Sequence, residues 1–274
     1  MAPVSFSTAW DDTNAIVRRE AALLVPVALA LIVLPGVVLD RVRPSAAVMA
    51  KGAAAGAFEP ALLANPLNLL VTLFASLVLS LLALRPGISV AEAMREAGGR
   101  FPVAVGSSLL LGIGFALVAA PALPIVLGGE GAVQRLNPAF ALLLLLYLVA
   151  IALGLVFAMV RLLLLNTVAV GERRGVFATI ARSWEMTRGL FWRLLGFVLL
   201  FVAASVIAAV AVVTAGGTVL LALGRLLGDE ALGRLLLDLL RGLANAAFLT
   251  WFYVMLANLY RQLAGRSAGS KSGI

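Results

Sequence analysis

The chain has 274 residues, 63% hydrophobic and only 12% charged, with a mean hydropathy of +1.10; that is too little polar sequence to coat a soluble globule, so it reads as an integral membrane protein. A net charge of +8 would suggest nucleic acid in a soluble domain, but the basic residues gather at the ends of apolar runs, which points to anionic lipid headgroups and not to nucleic acid. The absence of cysteine and histidine excludes disulfides, thiolate chemistry, zinc–histidine sites and imidazole proton transfer.

Ser7 to Glu20 opens with a Ser7 cap and carries Trp10, Asp11 and Asp12 in its first turns, where acids favour the helix dipole. Its face of Ala9, Thr13, Ile16 and Val17 is weakly apolar, and an interfacial entry helix is expected. Span one follows over residues 21–39, flanked by Arg18, Arg19 and Asp40, with Pro26 and Pro35 expected to kink it. A signal peptide is the rival reading, since Val48-Met49-Ala50 resembles a cleavage site. The apolar run is long for a signal and lies well upstream of that site. Residues 41–60 form an Ala/Gly-rich outer loop in which a short helix would fit. Span two covers 61–84, with Asn65, Asn68, Ser76 and Ser80 available for helix contacts.

Ser89-Val-Ala-Glu92 has the pattern of a capping box and opens a short amphipathic helix expected to end at Gly98-Gly99. Span three runs from Pro102 to about 127, 128–137 is a short outer turn, and span four covers 139–160. The apolar sequence nevertheless continues past Arg161 to Val170; such a run would measure about 48 Å as one straight helix, so it must bend, tilt or project beyond the bilayer. Arg161, set within apolar sequence, either snorkels to phosphate or pairs with Glu172 as a buried ion pair.

Residues 171–196 are richly charged and aromatic. On a helix, Phe177, Ile180, Ala181 and Trp184 share one face, while Thr179, Arg182, Ser183 and Glu185 take the rest. This describes a helix lying in the membrane interface. Gly189 allows a change of direction, and residues 194–215 carry no charge and can cross the hydrocarbon as span five. The expectation is an elbow: in-plane helix, glycine bend, transmembrane helix. Trp184 and Trp192 would sit at headgroup depth, with Arg182, Arg188 and Arg193 at lipid phosphates. Anchoring and specific binding are both open for them.

The same arrangement occurs 90 residues earlier: Val90 and Ile180, Ala91 and Ala181, Met94 and Trp184, Gly99 and Gly189, Phe101 and Phe191, and Gly106 and Gly196 align without a gap. Spans two and three thus read as a parallel repeat of spans four and five, with convergence of two interfacial helices as the alternative. Gly216-Gly217 marks a break, and residues 218–241 read as an outer amphipathic hairpin or re-entrant piece. Span six, 242–260, ends in Tyr260-Arg261, further interface anchors, and residues 265–274 form a polar tail expected to be disordered.

The segment from Ala181 to Arg193, ARSWEMTRGLFWR, resembles the signature of the glycerophosphoryl diester phosphodiesterase membrane-domain family and its six-span relatives. The run from Arg161 to Glu172 and the ending Leu259-Tyr260-Arg261 are similar to that family's pattern too; Asn166 stands near where such sequences often carry a proline. The resemblance covers most of the chain and implies an architecture rather than a chemistry. Enzymes of the phosphodiesterase family carry their catalytic histidines and acids in a separate soluble domain, for which this chain has neither histidine nor room.

With six spans the termini and both elbows share a side, which holds 14 of the 21 Lys and Arg residues against 7 opposite. Basic residues mark the cytoplasmic face, so the reading is a multi-pass protein of the plasma (bacterial inner) membrane with both termini cytoplasmic. The adjacent acids Asp11-Asp12 and Asp229-Glu230 lie at expected helix starts and read as caps, not as a metal site. No phosphate-binding loop, nucleophile elbow or zinc-protease motif is present, and no cofactor is expected.

The expected fold is therefore an all-α six-transmembrane-helix bundle, a single domain over 1–264, with interfacial amphipathic helices before spans one, three and five. The expected function is a non-catalytic module that scaffolds protein partners or binds and organises anionic lipid. A transporter or lipid translocator built on the repeat is the alternative, and a lipid-modifying enzyme ranks last.

Overall fold

The computed structural model describes residues 6–42, 64–122 and 137–269, and among them every regular element is helical. Among the described residues six helices are long and apolar enough to cross a membrane: Ala21–Leu39, Asn65–Leu84, Val90–Ala122, Pro138–Gly171, Phe191–Leu226 and Glu230–Gly265. The chain is an all-α multi-pass membrane bundle. The 41–60 loop beyond Val42, the first residues of span two, the end of span three, the 128–136 turn and residues 270–274 lie outside the described residues.

The chain begins with α1 (Phe6–Arg19), then α2 (Ala21–Ala28) and α3 (Leu34–Val42), joined without interruption by a π-helical turn over Leu29–Val33. Pro35 lacks an N–H and its ring crowds the carbonyl one turn earlier; the wider turn relieves that conflict inside a continuous helix. Span two is α4 (Ala64–Leu84).

Span three differs from expectation. α5 runs unbroken over Val90–Ala119, through Gly98, Gly99 and Pro102. Ser89 does cap it, accepting from Glu92 N–H at 3.2 Å. Gly98 sits one turn before the proline, so the backbone can tilt away from the ring, and Gly99 keeps helical dihedrals. The segment before span three is thus the first part of that span's own helix.

Span four is α6 (Pro138–Arg161), capped by Asn137 Oδ1 accepting from Ala139 N–H at 3.0 Å. A turn separates it from α7 (Leu165–Gly171), so the long apolar run does bend. The elbow helix α8 (Val176–Met186) and span five, α9 (Phe191–Ala211), follow.

Gly216-Gly217 makes no break either. A π-turn at Val212–Gly216 leads straight into α10 (Gly217–Leu226), and Thr214 Oγ1 donates to the Val210 carbonyl at 2.8 Å, so the shifted ladder keeps its polar groups satisfied. After a turn at Gly228 comes α11 (Glu230–Gly269), 40 residues or about 60 Å. The expected outer hairpin is the packed extension of spans five and six beyond the length a bilayer needs, and the helix also carries on past residue 264, into the stretch expected to be a disordered tail.

The core lies towards one end of the bundle. Leu77, Val78 and Leu79 of α4, Ala93, Ala97 and Ala104 of α5, and Val254 and Ala257 of α11 are fully buried together. A second cluster joins Leu164, Val168, Leu194, Met255 and Leu259. Spans four and five instead expose Leu142, Leu143, Leu145, Leu153, Leu199 and Leu200; in hydrocarbon a surface leucine meets a solvent as apolar as itself, so such helices need not pack on all sides. Tyr147 Oη donates to the Val118 carbonyl and ties span four to span three.

α1 docks on α11. Thr13 is fully buried: it donates to the Ala9 carbonyl at 2.6 Å and accepts from Asn258 Nδ2 at 2.9 Å. Trp251 Nε1 donates to Asn14 Oδ1 at 3.0 Å. The weakly apolar face of Ala9, Thr13 and Ile16 is therefore a packing face, held by side chains that are 237 and 245 residues apart in sequence.

Candidate functional site

The elbow is built around a broken helix. α6 ends at Arg161, Leu165 N–H bonds the Leu162 carbonyl at 2.9 Å, and the Arg161 carbonyl is left facing α8. Ser183 and Thr187, one turn apart and so on one face, supply it with donors: Thr187 Oγ1 at 2.9 Å and Ser183 Oγ at 3.3 Å. Both are fully buried, as is Thr179. The hydroxyl side of α8 thus turns inward, while Phe177 at 76% and Trp184 at 40% exposure face out. Gly189, at φ +80°, makes the bend into α9, a conformation costly for any residue with a Cβ.

An ion cluster joins the elbow to α11. Arg182 Nε donates to Glu172 Oε1 at 3.0 Å, and Arg174 Nε lies 2.5 Å from Oε2 as an ion pair without hydrogen-bond alignment. Tyr260 Oη donates weakly to Oε1 at 3.4 Å. Burial, the largest single influence, raises the Glu172 pKa, but the hydrogen bond and charge of Arg182, followed by the charge of Arg174, outweigh it and hold the carboxyl below its usual 4.5. Gly171 is required here, since a Cβ on it would stand 2.8 Å from Tyr260 Oη.

The Arg161–Glu172 ion pair, the alternative to snorkelling, is not formed: the carboxylate of Glu172 pairs with Arg174 and Arg182. The break after Arg161 turns Glu172 towards α8 and α11, and Arg161, four residues after Phe157, stays on the face of α6. Its guanidinium lies 5.2 Å from the ring centroids of both Phe157 and Trp184, a cation held between aromatic faces. Its Nε and Nη1 are buried and have no hydrogen-bond partner among the described residues.

The expected interface residues separate into two groups. Trp184, Arg188, Trp192 and Arg193 are exposed, Trp192 at 79%; they form a basic and aromatic rim around the bend. Arg182 is half-buried in the ion cluster and Tyr260 is only 8% exposed, so both hold the elbow together from inside. Arg261 is exposed and donates from Nη2 to Asn258 Oδ1, extending the network that docks α1.

Sequence reading missed Arg174, Ser183 and Thr187 as structural partners, and Thr13 with Asn258. Their signal was present in part: two hydroxyls one turn apart on a helix otherwise read as lipid-facing, next to a span too long to be straight. Among the described residues no group of three or more acidic side chains converges as metal ligands would. Comparison of the chain with protein-family models, curated proteins and solved structures finds no match.

Proposed function

We propose that the protein is a non-catalytic module of the bacterial inner membrane that binds and organises anionic lipid at the cytoplasmic leaflet, with both termini on that side. One observation carries this reading: Trp184, Arg188, Trp192 and Arg193 stand exposed on a bend that buried hydroxyls and an ion cluster hold rigid. Indoles settle at headgroup depth and arginines pair with phosphate, so a fixed rim of both is suited to gather anionic lipid. The resemblance of the segment 181–193 to the phosphodiesterase membrane-domain family fits a module of this kind and belongs to the proposal.

The test is lipid enrichment. Protein extracted in lipid nanodiscs from vesicles of equal phosphatidylglycerol and phosphatidylcholine should carry an excess of phosphatidylglycerol, and Arg188→Gln with Trp192→Ala should reduce it. Equal lipid proportions around the unaltered protein would refute the reading.

A transporter or translocator is the second reading, favoured by one contact: Asn166 Nδ2 donates to Ser76 Oγ at 3.1 Å, between positions equivalent under the 90-residue repeat. Beside Asn166, however, Leu164, Val168 and Ala169 are fully buried. That packing supports the module over a pathway through Arg161, Asn166 and Glu172.

A further inference from the structure

Between α9 and α11, at the docked end of α1, runs a groove of about 820 Å³, within the roughly 300–1,000 Å³ typical of small-molecule sites. Aromatic rings make it. Phe201 stacks on Trp251 at 5.5 Å and on Phe252 at 4.9 Å, and Phe197 stacks on Phe252 at 6.3 Å. These rings hold α9 and α11 apart, while Gly196, Ala204 and Ala247 leave the intervening space empty. Trp10 also lines the space, its ring 4.2 Å from that of Trp251.

Among the described residues Arg193 is the charged one of this lining. It precedes Phe197 and Phe201 by four and eight residues, so all three fall on one stripe of α9. It is exposed, and no hydrogen bond or ion pair engages it among the described residues. It also sits in the first turn of α9, where the helix dipole disfavours a cation. An arginine with no hydrogen bond or ion pair among the described residues, in the lining of an otherwise apolar slot, matches a phosphate carrying a hydrocarbon chain.

We propose that this groove is a binding site for one anionic membrane phospholipid, its phosphate on Arg193 and an acyl chain along Phe197, Phe201 and Phe248. This rests on the reading of the elbow as the anionic-lipid surface, and deepens it by giving one lipid a fixed seat behind the rim. A smaller cavity of about 250 Å³ continues from Phe201 and Phe248 towards Asn245 and Arg241. Among the described residues no charged side chain other than Arg193 and Arg241 lines the two cavities, so the groove suits a chain at rest and not a headgroup in transit.

The experiment is native mass spectrometry of the whole protein in mild detergent, titrated with phosphatidylglycerol or phosphatidylcholine, reading the one lipid that survives activation. The site predicts one retained phosphatidylglycerol per chain, and about tenfold weaker retention in Arg193→Gln, the scale of one charge-assisted hydrogen bond. Ala204→Trp and Ala247→Trp, both at exposed positions, should each abolish retention by filling the slot. Arg188→Gln should leave the retained lipid in place while lowering the phosphatidylglycerol excess in nanodiscs, which separates seat from rim. Inorganic phosphate at equal concentration should not compete, because the chain contributes most of the binding. Unchanged retention in both tryptophan variants, or equal retention of phosphatidylcholine, would overturn the seat even where the rim's enrichment persists.

Discussion

Thr187 Oγ1 stands 2.9 Å from the carbonyl oxygen of Arg161, and also 3.0 and 3.2 Å from those of Ser183 and Trp184. One hydroxyl proton cannot serve three carbonyls. The Arg161 carbonyl is the one that the helix break leaves short of partners, so Thr187→Val, which keeps shape and removes the donor, should cost about 1–3 kcal/mol in detergent-state stability. Ser183→Ala should cost less, because its contact is longer and Thr187 remains. Equal losses in the two variants would mean that the break is capped differently.

Arg161 is held by rings and not by Glu172. A double-mutant cycle of Arg161→Ala with Trp184→Ala should give a coupling of about 0.5–2 kcal/mol. The cycle with Glu172→Gln should be additive. Measured by thermal unfolding in detergent, coupling to Glu172 and none to Trp184 would reverse the assignment.

Glu172 sets a pH dependence. Its folded pKa lies below 4.5, so its contribution to stability is fully present above the unfolded value and is lost as pH falls through the folded one. The contact between elbow and α11 should weaken below about pH 4.5, and Glu172→Gln should flatten that part of the profile. Hydrogen exchange in α8 as a function of pH reads this out.

Much of this architecture was legible in the residues. The six apolar runs are the six long helices, the excess length after Arg161 is a bend, and Gly189 is the elbow's hinge. Gly98-Gly99 looked the same as Gly189 in sequence, yet the helix runs through it. A glycine permits a bend without requiring one, and only the packing around it decides. Thr13 with Asn258 was illegible for a different reason: a hydrogen bond across 245 residues leaves no periodic trace. The groove was hidden too, because phenylalanines that wedge two helices apart read in sequence as ordinary membrane-facing residues.

Asn166 and Ser76 meet across 90 residues. Ser76 donates to its own Leu73 carbonyl at 2.7 Å, so Ser76→Ala alone should cost little. Asn166→Leu should lose roughly 0.6 kcal/mol, the average for hydrogen bonds between membrane helices, and coupling between the two substitutions confirms the contact.

The proposed sidedness rests on the 14 to 7 distribution of basic residues. Reporter fusions after Gly99 and Gly175 should be cytoplasmic and a fusion after Gly131 external. A cytoplasmic signal at Gly131 would contradict the six-span arrangement.

Trp192, exposed at 79%, reports most directly on the proposed placement of the elbow's rim among lipid headgroups. A variant retaining Trp192 as its sole tryptophan is reconstituted into vesicles whose lipids carry bromine at graded depths along the acyl chain. Quenching should be strongest with bromine nearest the headgroup, and the emission should shift when anionic lipid replaces zwitterionic lipid. Strongest quenching at the bilayer centre, or none at any depth, would contradict the account.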